Sequence, residues 1–108
     1  MTVIKQGAGI ALINTFTVAP GRADELLTVL QEATDEVMQH VPGFVSANFH
    51  RSLDGRQVAN YAQWESKDAF DAMLRDEKAR EHMGRCIDIA ESYEPVLYEV
   101  VSVHGREA

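Results

Sequence analysis

The chain has 108 residues, enough for one hydrophobic core and too few for two, so we expect residues 1–108 to form a single domain. Its formal net charge of −7 argues against nucleic acid and anionic membrane as partners, because both attract positively charged protein surfaces. The apolar runs are too short for a membrane helix and the N-terminus lacks the ordered features of a secretory signal, which together predict a cytoplasmic protein.

The first predicted elements are a strand and a long helix. Residues 9–18 alternate as a strand does, and Asn14 is the polar position on an otherwise apolar face. Apolar residues then recur at helical spacing over residues 23–41, which predicts an amphipathic helix of about five turns. Pro42 follows the last of them, where a helix is expected to end.

A hairpin comes next. The segments 44–52 and 57–65 both read as strands, and four residues separate them. The Asp-Gly pair at 54–55 lies in this short connection, and that dipeptide favours a tight turn between antiparallel strands.

Two helices and a strand complete the chain. Ser66 is placed to cap a short helix in which Phe70 and Met73 face inward. A further helix is predicted over residues 77–91, followed by a valine-rich strand over residues 94–104.

The order of these elements, β-α-β-β-α-β, predicts a ferredoxin-like α+β fold with helices on one face of a four-stranded antiparallel sheet. Apolar residues occupy both faces of the last strand, so the face without helices also needs a cover. A second copy of the chain is the cover we expect, which predicts a homodimer joined through the sheets.

The residues that could bind metal are dispersed. His40, His50, His82 and His104 have no spacing typical of a zinc site, and Cys86 has no second cysteine beside it. We therefore expect no metal. The lone cysteine also excludes an internal disulfide and fits a reducing compartment.

The third predicted strand carries the most informative pattern. Val58, Asn60, Ala62 and Trp64 alternate with other residues and therefore share one face. Asn60 and Trp64 are about 13 Å apart along this face at about 3.3 Å per residue, with the small Ala62 between them. Their N–H groups could hold the two ends of a flat ligand about three fused rings long. Alternatively, Trp64 is ordinary core and Asn60 pairs with backbone.

Residues 41–70, VPGFVSANFHRSLDGRQVANYAQWESKDAF, resemble the antibiotic biosynthesis monooxygenase (ABM) family, and most closely its actinorhodin-pathway type of quinone-forming enzyme. Asn60 and Trp64 match the amide and indole of that family's pocket in type and spacing. Phe70 stands where those relatives have a tyrosine, and Gly84 where they have an arginine.

The resemblance implies a dimeric α+β barrel in which each subunit has a pocket between sheet and helices. It also implies oxidation of a polycyclic phenol or anthrone to a quinone by dioxygen, without a cofactor. In such a reaction Asn60 and Trp64 would donate to developing oxyanions, and His82 could be the base. Alternatively, His82 is a histidine at the edge of the apolar stripe of its helix. Asn14 and His50 are further candidates for contact with the substrate from the face they share with the pocket.

Two other functions remain open from the sequence. A dimeric barrel of this kind could bind a small hydrophobic or quinone-like ligand without catalysis. Heme degradation also occurs on this fold, in relatives with an asparagine, a tryptophan and a heme-binding histidine. Here Asn14 matches the first, Met73 replaces the second, and His82 is one position out of register with the third.

Overall fold

A computed structural model describes residues 3–5, 7 and 9–106, so residues 1–2, 6, 8 and 107–108 of the expected domain lie outside the described residues. The elements, in chain order, are strand β1 (Ile10–Thr17), helix α1 (Ala23–Glu36), strand β2 (Phe44–Arg51), strand β3 (Gln57–Trp64), helix α2 (Lys67–Leu74), helix α3 (Glu77–Ile89) and strand β4 (Ser92–Tyr98). A single 3-10 turn, Met38–His40, follows α1. No helix in this part of the chain is long and apolar enough to cross a bilayer.

The strands form one antiparallel sheet in the order β2-β3-β1-β4. This order, with helices packed against one face, confirms the predicted ferredoxin-like α+β fold. Inward-facing residues of β1 and β3 pack with apolar residues of the helices, and Leu26, Val18 and Val58 are the largest fully buried side chains. The inner face of the sheet is therefore the floor of the core.

The hairpin between β2 and β3 turns at the predicted Asp-Gly pair. Gly55 adopts a φ of 74°, which glycine tolerates without strain. Asp54 has an ordinary φ and acts through its carboxylate, which accepts from the Ser52 hydroxyl at 2.7 Å and the Arg56 amide at 3.0 Å. These hydrogen bonds lower the pKa of the Asp54 carboxyl, and the one from Ser52 has the largest effect.

Helix α1 is shorter than the apolar periodicity predicts. It ends at Glu36 and continues only as the 3-10 turn, whereas the pattern extends to Val41. Val41 precedes Pro42 and is extended, with φ −78° and ψ 130°. The proline ring disfavours helical geometry in the residue before it, so the helix could not reach Val41.

Both C-terminal helices begin at a side-chain cap. The Ser66 hydroxyl accepts from the Ala69 amide at 3.1 Å, which confirms the predicted start of α2. The Asp76 carboxylate accepts from the Ala79 amide at 2.9 Å and begins α3. These caps fix the helices that carry Phe70 and His82.

Strand β4 differs from its prediction at both ends. It begins at Ser92 and ends at Tyr98, where residues 94–104 were expected. Tyr98 pairs with Ala11, and β1 begins only one residue earlier, so the ladder has no partner to continue with. Outside the β1–β4 ladder, the Gly7 amide donates to the Val100 carbonyl at 3.1 Å.

Candidate active site

A cavity of about 350 Å³ lies between the inner face of the sheet and the three helices. Alternate residues of all four strands form its floor, and residues of α1, α2 and α3 form its walls and roof. The lining includes these residues expected from the sequence: Asn14, Asn60, Ala62, Trp64, Phe70, Met73 and His82.

The strand register explains how the floor is arranged. Asn14 on β1 lies directly opposite Asn60 on β3, so two carboxamides stand side by side in the middle of the sheet. Ala62 pairs with Leu12 on one side and with Ala47 on the other. The two alanines of this row therefore leave open floor between the carboxamides and the indole.

Trp64 is held by two aromatic neighbours. Its ring meets Phe44 edge-on at a centroid distance of 5.6 Å and Phe70 at 6.0 Å. Both distances lie in the range favoured for edge-to-face contacts. The side chain is 3% exposed, so the indole has a fixed orientation, and one of its edges remains at the cavity.

Four polar atoms of residues that line this cavity have no partner in the described part of the chain. They are Asn14 Oδ1, Asn60 Oδ1, Trp64 Nε1 and His82 Nδ1, and each is buried. Buried polar groups are nearly always hydrogen-bonded, and an unsatisfied one costs about 1–3 kcal/mol. Because all four belong to lining residues of one cavity, this arrangement is suited to a ligand with polar groups on an aromatic body.

His82 connects the cavity to the protein surface. Its side chain is 13% exposed, and Nε2 lies 3.6 Å from Oε2 of Glu36 on α1. The opposite ring nitrogen, Nδ1, is buried and has no hydrogen-bond partner among the residues that the structure describes. The ring thus presents one nitrogen to a carboxylate and keeps the other in the protein interior.

Cys86 also lines the wall, one turn after His82 on α3. Burial disfavours the thiolate and raises the pKa of the thiol to about 11. At neutral pH it is therefore an apolar wall residue and a poor nucleophile. Among residues 3–5, 7 and 9–106, no three histidine, cysteine, aspartate or glutamate side chains form a group that could hold a metal ion.

His50 does not reach the cavity, which corrects the expectation that it faces the substrate. A β-bulge at Val45 separates the pairs Phe44–Trp64 and Ser46–Gln63. One extra residue shifts the alternation of the rest of β2 to the other face. His50 consequently lies exposed on the outer side of the sheet, where its Nδ1 is 3.1 Å from the Asn48 carbonyl oxygen.

Residues of the two edge strands of the sheet also line the cavity. Ala47 and Phe49 line it from β2, and Tyr93, Pro95 and Leu97 line it from β4. The residues on β4 follow the period-2 alternation and could have been found from it. Those on β2 could not, because the position of the bulge is set by pairing with β3.

Comparisons with known proteins decide the family. Residues 9–85 match the family described as "Antibiotic biosynthesis monooxygenase". The chain belongs to the antibiotic biosynthesis monooxygenase family. The prediction of an ABM enzyme from residues 41–70 is thereby confirmed.

Three named relatives of this ABM enzyme come from streptomycetes. It is 43% identical over 94 residues to a protein named tetracenomycin-F1 monooxygenase from Streptomyces glaucescens, covering 87% of this chain and 83% of the relative. The ActVA-Orf6 monooxygenase of Streptomyces coelicolor, solved with the ligand nanaomycin D, has a TM-score of 0.76 and 30% identity, covering 93% and 94%. SnoaB, a cofactor-independent oxygenase from Streptomyces nogalater solved as a mutant, has a TM-score of 0.81 and 22% identity, covering 90% and 97%, and supports the fold.

Proposed function

We propose that this ABM enzyme oxidises an anthrone or a related polycyclic phenol of polyketide type to a quinone with dioxygen, and that it needs no cofactor. The observation that carries the proposal is a mostly apolar cavity of about 350 Å³ whose lining residues include four buried polar atoms with no partner among the described residues. Cavities for small ligands typically start at about 300 Å³, and their few polar groups orient the ligand. The names of the relatives, which include a monooxygenase and a cofactor-independent oxygenase, support the same reading.

The reaction balances without a metal or a flavin. An anthrone methylene loses a proton, and its electron pair stays on the ring system as a delocalised anion. This anion transfers one electron to dioxygen, and the two radicals combine to form a carbon–oxygen bond. After protonation the hydroperoxide loses the remaining C–H proton, its O–O bond breaks, and a quinone carbonyl and one water are formed.

The lining residues have distinct roles in this proposal. Trp64 Nε1–H and the Asn60 carboxamide, which can turn its NH2 group inward, donate to the oxygen atoms where negative charge develops. His82 Nδ1 accepts the proton from the substrate. The catalytic groups would therefore surround the flat substrate at its polar ends.

Four other residues contribute to substrate binding. Asn14 lies beside Asn60 and offers a second carboxamide, whereas Ala62 leaves the space that the rings occupy. Phe70 and Met73 cover the substrate from α2. Phe70 has no hydroxyl, so proton transfer in this chain falls to His82.

Oxygen uptake with the anthrone dithranol tests the proposal. We expect Asn60→Ala and Trp64→Phe each to lower kcat by about 10²–10³, the usual loss when one oxyanion donor is removed. Tyr61→Phe is the matched control, since Tyr61 follows Asn60 on β3 but does not line the cavity. Uptake no faster than in buffer, or equal rates for both variants and the wild type, would contradict the proposal.

We also propose that residues 1–108 act as one domain of a cytoplasmic homodimer. The sheet face without helices carries Val96, which is 36% exposed, and Tyr98, which is 46% exposed. Val101 and Val103 are exposed just beyond them. An isologous contact between two such faces would bury these residues.

Light scattering on the purified protein tests the dimer. We expect twice the chain mass of 12.0 kDa for the wild type and a shift to the single mass for Val96→Glu. Glu94→Gln, on the same face of β4, controls for a change of side chain at that edge. A monomeric wild type would refute the dimer and leave the reaction to be judged by oxygen uptake.

A further inference from the structure

Glu36 and His82 pair across the contact between two helices. Glu36 is the last residue of α1, and His82 lies in the middle of α3. The Oε2–Nε2 distance is 3.6 Å, with the glutamate 65% exposed and the histidine 13% exposed. The pair therefore reaches from solvent to the edge of the cavity.

The carboxylate constrains where the imidazole proton sits. A neutral imidazole has one N–H and one acceptor nitrogen, and an ionised carboxylate can only accept. Glu36 therefore favours the tautomer with the proton on Nε2, which leaves the lone pair on Nδ1. Nδ1 is buried and has no partner among the described residues, and His82 is one of the residues that line the cavity.

We infer that Glu36 is a positioning residue for the reaction, and that it sets the tautomer of His82 so that Nδ1 accepts the substrate's proton. The inference rests on the proposed function. When a substrate C–H bond breaks, its electron pair stays on the delocalised anion and the proton forms an N–H bond at Nδ1. The resulting imidazolium keeps its Nε2–H directed at the carboxylate, and the proton later returns to the reduced oxygen.

A neighbouring ion pair provides a matched control. Glu32, one turn earlier on α1, pairs with Arg85 on α3 at 3.5 Å, and the two side chains are 48% and 53% exposed. It joins the same two helices at a similar distance but does not touch the histidine. Glu32→Ala therefore removes an inter-helix contact of the same kind and leaves the Glu36–His82 pair in place.

The first test reads the tautomer without turnover. Histidine ¹⁵N spectra of the wild type, with the His82 signals assigned by their loss in His82→Gln, should have a protonated Nε2 and an unprotonated Nδ1. Glu36→Ala should give a mixture of tautomers, whereas Glu32→Ala should match the wild type. A wild-type ring protonated on Nδ1, or a tautomer unchanged in Glu36→Ala, would overturn the inference.

The second test uses anthrone turnover. We expect Glu36→Ala to lower kcat by about 10–100-fold, the usual loss for a residue that orients a functional histidine, with KM within about 2-fold. Glu36→Asp, which retains a shorter carboxylate, should recover part of the rate. An equal loss of kcat in Glu32→Ala would overturn the inference. If the wild type has no turnover but the spectra follow the expected pattern, the proposed reaction fails and the pairing is supported.

Discussion

Filling the floor of the cavity should stabilise the protein and abolish its binding of ligand. Ala62 lies between Asn60 and Trp64 and lines the cavity, so Ala62→Leu places three more carbon atoms in open space. At about 0.8 kcal/mol for each buried carbon the gain is at most about 2.4 kcal/mol. Loss of leucine rotamers on folding and residual burial in the unfolded chain reduce this gain in the free energy of unfolding to about 1 kcal/mol. We therefore expect Tm to rise by about 4–8 °C.

The same substitution at a packed position should have the opposite effect. Ala79 is 0% exposed and does not line the cavity, so Ala79→Leu forces extra atoms into a filled core and costs about 1–3 kcal/mol. Thermal unfolding of the two variants compares them directly. If Ala62→Leu loses as much stability as Ala79→Leu, there is no space beside Ala62 and the proposed site is wrong.

Fluorescence supplies the binding assay. Trp64 is the only tryptophan of the chain, so its emission reports the cavity alone. We expect dithranol to quench this emission in the wild type and in Ala79→Leu, and to leave it unchanged in Ala62→Leu. Undiminished quenching in a stable Ala62→Leu protein would mean that the ligand does not lie between Asn60 and Trp64.

Three further predictions concern residues outside the proposed chemistry. His50→Ala should leave kcat and KM for dithranol unchanged, because His50 lies on the outer face of the sheet; a large loss of kcat would contradict that placement. Burial raises the pKa of Cys86 to about 11, so about one thiol in a thousand is ionised at pH 8. Iodoacetamide should therefore alkylate the native protein slowly at pH 8, faster as the pH rises, and quickly once urea unfolds the chain. Fast alkylation of the native protein at pH 8 would contradict the burial of this thiol. Ser66→Ala removes the cap of α2 and should lower Tm by about 4–8 °C, equivalent to about 1 kcal/mol. The control Ser92→Ala, at an exposed position of β4, should leave Tm unchanged. Equal Tm values for the two variants would argue against the cap.

Much of the site follows from local periodicity. The alternation of β3 is sufficient to place Asn60, Ala62 and Trp64 on one face, and that of β1 adds Asn14. These strands are regular, so each side chain keeps the face that its position in the sequence indicates. The turn at Gly55 is equally local, because it depends on the φ of one residue.

The errors arose where a neighbour in the fold decides the outcome. His50 lies on the face opposite to the one that simple alternation indicates, because the bulge at Val45 appears only when β2 pairs with β3. The end of β4 depends on where β1 begins, since a strand needs a partner for its hydrogen bonds. The pairing of Glu36 with His82 joins helices that are distant in the chain, so no sequence spacing indicates it.

The proposed reaction requires the cavity itself to support oxidation by dioxygen. The most direct measurement is the mass of the quinone that chelator-treated protein forms from dithranol under ¹⁸O2, with the rate compared between wild type and Asn60→Ala. We expect one ¹⁸O atom in each quinone, formed faster than in buffer and slowed about 10²–10³-fold by Asn60→Ala. Quinone formed at the rate in buffer, or only after a metal or flavin is added, would contradict it.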